Sequence, residues 1–187
     1  MPGIDTSRQF VPLKIAVLTI SDTRDKADDK SGTTLVERIR DAGHTLAERA
    51  IVKDEVKEIR QRVKAWIEDK FIDVVITTGG TGFTGRDVTP EAVEPLFEKR
   101  MDGFATMFLI VSEKKIGTSA IQTRATAGVA NATYIFCLPG SPGACKDAWD
   151  EILVHQLDYR YRPCNFVEIL PRLDEHLRRP KARTQSG

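Results

Sequence analysis

Residues 73–92, Asp73-Val-Val-Ile-Thr-Thr-Gly-Gly-Thr-Gly-Phe-Thr-Gly-Arg-Asp-Val-Thr-Pro-Glu-Ala92, run from an apolar stretch through a nine-residue loop with four glycines to a helix start. Val74, Val75 and Ile76 are β-branched and uninterrupted by charge, as expected of a strand buried on both faces of a parallel sheet. Gly79, Gly80, Gly82 and Gly85 permit positive φ and let backbone N–H groups approach a ligand closely. Thr89-Pro90 predicts a hydroxyl N-cap followed by proline in the first turn. Asp87 is then a carboxylate at the mouth of the loop. In open α/β sheets such a loop, at a strand's carboxyl end, is where phosphorylated ligands bind.

Two phosphate-binding patterns can be tested against it. The P-loop requires a Gly-Lys-Ser/Thr ending, and no such triplet occurs here. Gly80, Gly82 and Gly85 do match the spacing of the dinucleotide fingerprint. That fingerprint, however, needs a helix opening within the glycines and an acid about 20 residues on at a strand end. Here the helix signal follows the last glycine, and Glu98 falls at an expected helix end. A nicotinamide oxidoreductase is therefore disfavoured.

A chain of 187 residues, 41% of them apolar, can bury one good core and is short for two. The net charge of +1 argues against nucleic acid or an anionic membrane as partner. Cys137, Cys145 and Cys164 are not spaced as zinc ligands, and Cys137 lies in an apolar run as a core thiol. No basic-then-apolar leader or membrane-length run is visible, so the expectation is a cytoplasmic protein.

Residues 1–12 read as an N-terminal arm, 13–173 as a single domain and 174–187 as a basic, disordered tail. The first strand spans Leu13–Ile20, and a polar loop from Ser21 to Gly32 carries four aspartates and is expected to end in a Ser31 N-cap. A helix with Leu35, Val36 and Ile39 on one face stops at Gly43. His44–Val52 reads as a strand toward an edge, with His44 at the helix end as a capping histidine rather than a ligand. Asp54 is placed to cap a helix whose apolar face is Val56, Ile59, Val63, Trp66 and Ile67. A helix is expected from Thr89 to about Arg100, then an apolar helical face at Phe104, Met107, Phe108 and Val111. Residues 118–131 show no clear period, Thr133–Leu138 is a strand, and Ser141-Pro142 caps another helix.

Strands alternating with helices predict an α/β fold of three α/β/α layers with a mostly parallel sheet. If the strands are parallel, the junctions at 21–32, 79–89 and 139–143 share one sheet edge and form one crevice. Aspartates, an arginine, glycines and a serine gathered there suit a polyanion with Mg²⁺ better than a hydride carrier.

The chain also resembles a known family, the MoaB/MogA molybdenum-cofactor biosynthesis proteins, across residues 13–173. The resemblance rests on Thr19-Ile-Ser-Asp22, Ser31-Gly32, Ala42-Gly-His44, Ile51-Val-Lys-Asp54, Thr78-Gly-Gly-Thr-Gly82, Arg86-Asp-Val-Thr-Pro-Glu-Ala92, Arg124-Ala-Thr-Ala-Gly128 and Leu138-Pro-Gly-Ser-Pro142. Gly128-Val-Ala-Asn131, Gln156-Leu-Asp158 and Arg162-Pro-Cys-Asn-Phe166 are similar to the MoaB branch in particular. It implies the molybdopterin-binding, MogA-like fold and a homotrimer or homohexamer in contact with other proteins of the pathway. The implied activity is Mg-ATP-dependent adenylylation of the molybdopterin terminal phosphate with release of pyrophosphate. By motif position, Asp87 and Asp54 are the implied catalytic acids, with Asp87 also on the metal. Gly79, Gly80, Thr81 and Gly82 would cradle phosphates, Gly140 and Ser141 would hold the other end of the ligand, and Ser21, Asp22 and Arg124 are further implied binding residues.

The chain departs from the family's Gly-Phe-Gly-Glu and the arginine three residues later, carrying Thr106 and Leu109 instead, and Thr123 replaces the usual serine. An ion pair exchanged for apolar packing is often near neutral for stability. The same change could instead weaken an active site, so a carrier or assembly protein that binds pterin or nucleotide without turnover is the alternative.

Overall fold

The computed structural model describes residues 2–25 and 27–178. In chain order these form β1 (Gly3–Ile4), β2 (Lys14–Ile20), α1 (Lys30–Asp41), β3 (Thr45–Val52), α2 (Val56–Glu68), β4 (Val74–Thr78) and α3 (Thr89–Val93). A 3₁₀ turn (Glu94–Leu96) leads to β5 (Lys99–Arg100), α4 (Asp102–Ile116), a second 3₁₀ stretch (Gly117–Gln122), β6 (Thr126–Ala130) and β7 (Thr133–Leu138). The chain ends with α5 (Pro142–Ala148), a π-helical turn (Trp149–Leu153), α6 (Val154–Gln156), β8 (Tyr161–Arg162), α7 (Phe166–Ile169), a 3₁₀ turn (Leu170–Arg172) and α8 (Glu175–Arg178).

Six strands make the main sheet in the order β3-β2-β4-β7-β6-β5. The first four are mutually parallel, whereas β6 runs antiparallel to β7 and β5 antiparallel to β6. Period-two alternation sends Ile15, Val17, Val74, Ile76, Tyr134 and Phe136 to one face, against α1, α4 and α5. Ala16, Leu18, Val75, Ile135 and Cys137 go to the other, under Ile59, Val63, Trp66 and Ile67 of α2 and Ala92 and Val93 of α3. Cores on both faces make three layers, as expected from unbroken apolar strands. Cys137 is fully buried, and burial pushes its thiol up to about 12.

Several local expectations fail, each for an identifiable reason. The N-cap of α1 is Asp29, which accepts from Gly32 N–H at 2.9 Å, and Ser31 lies inside the helix. The same buried carboxylate takes Thr19 Oγ1 at 2.6 Å and Arg49 Nη2 at 2.8 Å, so one group joins β2, β3 and α1. Glu55, not Asp54, precedes α2, and it makes no side-chain cap bond. Val88, not Thr89, precedes α3, because the Thr89 hydroxyl donates to Gly79 O at 2.8 Å instead. The helix ends at Val93 rather than near Arg100, since Pro95 lacks an N–H and disfavours the α conformation before it. The stretch 118–131, without period in the sequence, contains β6, whose five residues are all buried.

His44 is buried between Phe10 and Trp149 and accepts the Leu13 N–H at Nδ1 over 3.1 Å. Its ring therefore joins the start of β2, while its backbone N–H closes the end of α1 on Ile39 O at 3.0 Å. The N-terminal arm is tied down, with β1 pairing to β8 and Arg8 lying 3.8 Å from the Tyr159 ring centroid. Four residues of the stretch expected to be tail are helical in α8, and residues 179–187 lie outside the described residues.

Candidate functional site

Because β3, β2, β4 and β7 are parallel neighbours, their carboxyl ends share one edge of the sheet, and the chain leaves them at Lys53, Ser21, Gly79 and Pro139. The loops enclose a cleft of about 550 Å³ lined by Ser21, Asp54, Gly79, Gly80, Thr81, Gly82, Asp87, Gly140 and Ser141, among others. Nine of the eleven residues singled out from the sequence thus meet at one place. Asp22 and Arg124 lie beside it.

The glycine loop is shaped by contacts that side chains would block. Only Gly79 (φ 110°) and Gly80 (φ 64°) adopt positive φ; Gly82 and Gly85, expected to share that freedom, do not. A Cβ on Gly79 would collide with the Ile20 carbonyl, and one on Gly80 would strike the Thr89 hydroxyl and lie 3.1 Å from Asp54 Oδ1. Gly82 is needed for proximity rather than backbone freedom, since a Cβ there would sit 2.8 Å from Asp87 Oδ2. Gly140 brings the third junction against the second: its missing Cβ would lie 3.2 Å from Gly79 Cα. With only five residues, α3 supplies little helix dipole, so the loop's own N–H groups are the anion donors that remain.

Two carboxylates border this loop, Asp54 beside Gly80 and Asp87 beside Gly82. Asp87 Oδ2 accepts the Thr84 N–H at 2.8 Å and the Thr84 hydroxyl at 2.6 Å. Burial pushes this carboxyl up, but the bonds from Thr84 and from the Gly82 N–H outweigh it and hold Asp87 below the usual carboxylate range. Asp54 behaves oppositely. Burial and then the neighbouring Asp22 carboxylate push it up, with Asp87 adding to the effect and Arg86 opposing it. Asp54 caps no helix; a backbone bond from Asp22 favours its charged form but does not outweigh burial and the like charge beside it.

The third junction behaves as its sequence predicts. Ser141 is the N-cap of α5 and accepts the Ala144 N–H at 3.2 Å, leaving its hydroxyl proton for a ligand. Ser21 Oγ accepts from Thr23 and Arg24 N–H at 3.3 and 3.2 Å, which turns the first junction over the cleft. Asp22 lies at the rim, paired with Arg86 at 2.9 and 3.0 Å and accepting the Asp54 N–H at 3.2 Å. Arg124 is committed to holding the loop: Nε donates to Gly82 O and Nη2 to Asp87 O, both at 2.8 Å, while Nη1 pairs with Glu91. Arg24, Gln122 and Thr123 also line the cleft; the sequence marked Arg24 only as the arginine of the first junction and Thr123 only as a departure from the family, and gave Gln122 no role. Gln122 and Thr123 lay in the segment without period, and the aspartates around Arg24 fitted a solvated turn equally well.

Comparison with known proteins agrees with this architecture. Residues 16–159 match the family described as "Probable molybdopterin binding domain". The chain is 49% identical over 160 residues to Molybdenum cofactor biosynthesis protein B of Escherichia coli (strain K12), covering 86% of this chain and 94% of that protein. Identity to the protein of the same name from Bacillus subtilis (strain 168) is 42% over 163 residues, covering 86% and 96%. A crystal structure of Molybdenum cofactor biosynthesis protein B superposes with a TM-score of 0.78 at 40% identity, covering 80% of this chain and 94% of that one. The tungsten cofactor synthesizing protein MoaB from Pyrococcus furiosus gives 0.69 at 36% identity, with 76% and 91% covered. The chain therefore belongs to the molybdopterin-binding family of molybdenum cofactor biosynthesis proteins, in its MoaB branch.

Proposed function

We propose that this protein adenylylates the terminal phosphate of molybdopterin with Mg-ATP. The observation that carries the proposal is the glycine loop flanked by Asp87 and Asp54, one acid held low and the other pushed up, in a cleft completed by Ser141. A phosphate oxygen of the pterin attacks the α-phosphorus of ATP, a new P–O bond forms, and the bond to the β-phosphate bridge breaks to release pyrophosphate. The second pKa of a phosphate monoester is about 6, so the nucleophile is anionic at neutral pH and no histidine base is required. What the chain supplies is orientation and charge placement. Loop N–H groups of residues 79–82 receive phosphate oxygens, Ser141 donates its hydroxyl to the ligand, and Arg124 fixes the loop.

Mg²⁺ fits the donor set. The described residues contain no cluster of three or more metal-ligating side chains, so substrate oxygens and water would complete a shell begun by Asp87 and Asp54. The like-charge strain on Asp54 is what a dication relieves. When bound, the ion neutralises charge on the phosphates.

The test is pyrophosphate release from Mg-ATP with and without molybdopterin. Asp87→Asn, which keeps an acceptor for Thr84, is expected to lower the rate at least about 100-fold, or ~2.7 kcal/mol. Full turnover in that variant would sink the proposal. A second reading, ligand binding without turnover, draws on Thr106 and Leu109 bordering the pocket behind the loop, beside Arg124 and Glu91. Calorimetric binding without pyrophosphate release would establish it. Self-association as a trimer or hexamer is supported by Met107, Leu109, Ile110 and Ile116, apolar side chains of α4 left 43–58% exposed.

A further inference from the structure

Three arginines surround the cleft, and their hydrogen-bond inventories differ. Arg86 gives three donors to two carboxylates, Asp22 and Glu55, so its charge is more than compensated. Arg124 spends donors on two loop carbonyls and on Glu91. Arg24 differs in donating from one nitrogen only and to no carboxylate. Its Nη1 donates to Ser31 Oγ at 3.0 Å and to Gly140 O at 3.1 Å, and among the described residues no carboxylate pairs with it. A guanidinium has five N–H donors in a fixed fork, so about three remain, on Nε and Nη2.

We infer that Arg24, rather than Arg124, is the cation that receives the anionic phosphate group of the ligand. The inference rests on the phosphoryl-transfer reading above and deepens it by assigning the charge that recognises the substrate. Three features support it. Arg24 lines the cleft, whereas Arg86 does not and Arg124 faces the pocket behind the loop. Its uncompensated charge lies on the side of the third junction, while Asp54 and Asp87 border the glycine loop. Among the described residues Arg24 is the one cation lining a cleft that also holds Asp54 and Asp87, which suits a phosphate chain that must meet a metal and a guanidinium together. The bonds to Ser31 and Gly140 also hold the half-buried side chain in place before ligand arrives, so little rotamer entropy is lost on binding. Arg124 is then a positioning residue for the glycine loop.

Isothermal titration of the full chain with pyrophosphate, ATP and molybdopterin, each with Mg²⁺ present, tests the assignment, and the separate titrations identify which phosphate Arg24 meets. Arg24→Gln is expected to weaken at least one of these ligands about tenfold or more and to flatten the dependence of affinity on salt. Arg24→Lys, which keeps charge without the fork, should recover part of the loss. Hydrogen exchange separates the two arginines: Arg124→Gln should speed exchange at residues 79–87, and Arg24→Gln should not. If Arg24→Gln fails to fold, Arg24→Met, which fills a similar stem volume, replaces it in the same titrations. Wild-type affinity for all three ligands in the folded variant overturns the assignment while leaving the proposed reaction intact. A wild-type protein that binds none of the three overturns both.

Discussion

The parallel strands β3, β2, β4 and β7 and the antiparallel pair β6 and β5 belong to one sheet, yet they do different work. Every loop of the cleft except the segment with Gln122 and Thr123 leaves a parallel strand, and those loops hold backbones within van der Waals limits of each other. The antiparallel side carries α4, with its exposed apolar side chains and the departures at Thr106 and Leu109. Geometry is over-determined around the proposed ligand cleft and permissive where the surface can vary.

One glycine from each half sharpens that contrast most. Gly79→Ala forces a Cβ onto the Ile20 backbone carbonyl at a φ that L-residues rarely adopt, and it should destabilise by about 3 kcal/mol or more. Gly128→Ala in β6 keeps an ordinary φ but overlaps the Phe97 ring at its root, so the half-buried ring must be displaced and about 2 kcal/mol is expected. Urea denaturation measures both, and equal losses would break the comparison.

The next largest effect concerns the end of the parallel strands away from the cleft. Burial of His44 lowers its pKa to about 4, against a weaker opposing pull from Asp158, while the unfolded chain titrates near 6.5. The unfolded state thus binds more protons between these values, and stability present above pH 6.5 is lost as pH falls through 4, by up to about 3 kcal/mol. His44→Gln should abolish that share of the slope, read as the difference between wild-type and variant unfolding curves. Parallel curves would show that His44 does not titrate on unfolding.

The smallest effect is expected on the permissive side. Thr106 returns its hydroxyl to Asp102 O at 3.1 Å and Leu109 is 43% exposed, so Thr106→Glu with Leu109→Arg should change stability by no more than roughly 0.5 kcal/mol. A gain in pyrophosphate release above about tenfold would instead place this pair in the reaction and redraw the boundary between the halves.

The same boundary governs what could be read from the amino-acid order. Val74-Val-Ile76 and Ile15-Ala-Val-Leu18 announce buried parallel strands because both faces need apolar groups, and glycines mark where backbones must approach. β6, Thr126-Ala-Gly-Val-Ala130, was illegible because small residues suffice where Phe97 and α4 supply the bulk. Hydroxyls and carboxylates near helix starts were ambiguous for a different reason. Ser31, Asp54 and Thr89 all fit cap positions locally, but capping competes with tertiary partners that lie far away in sequence, as the Thr89 bond to Gly79 O does. The polarity of Arg24 and Arg124 was hidden likewise, since it depends on which carbonyls and acids the fold brings to each guanidinium.

The pairing of β1 with β8 has a consequence for the order of events during synthesis. Gly3 and Ile4 find their partners, Arg162 and Tyr161, only once residue 162 has left the ribosome. The cation–π contact of Arg8 with Tyr159 and the bond from Asp5 N–H to Arg160 O at 2.9 Å wait for the same residues. Residues 3–8 thus seat only after residues 159–162 have emerged, and their docking records that the far end of the domain is in place.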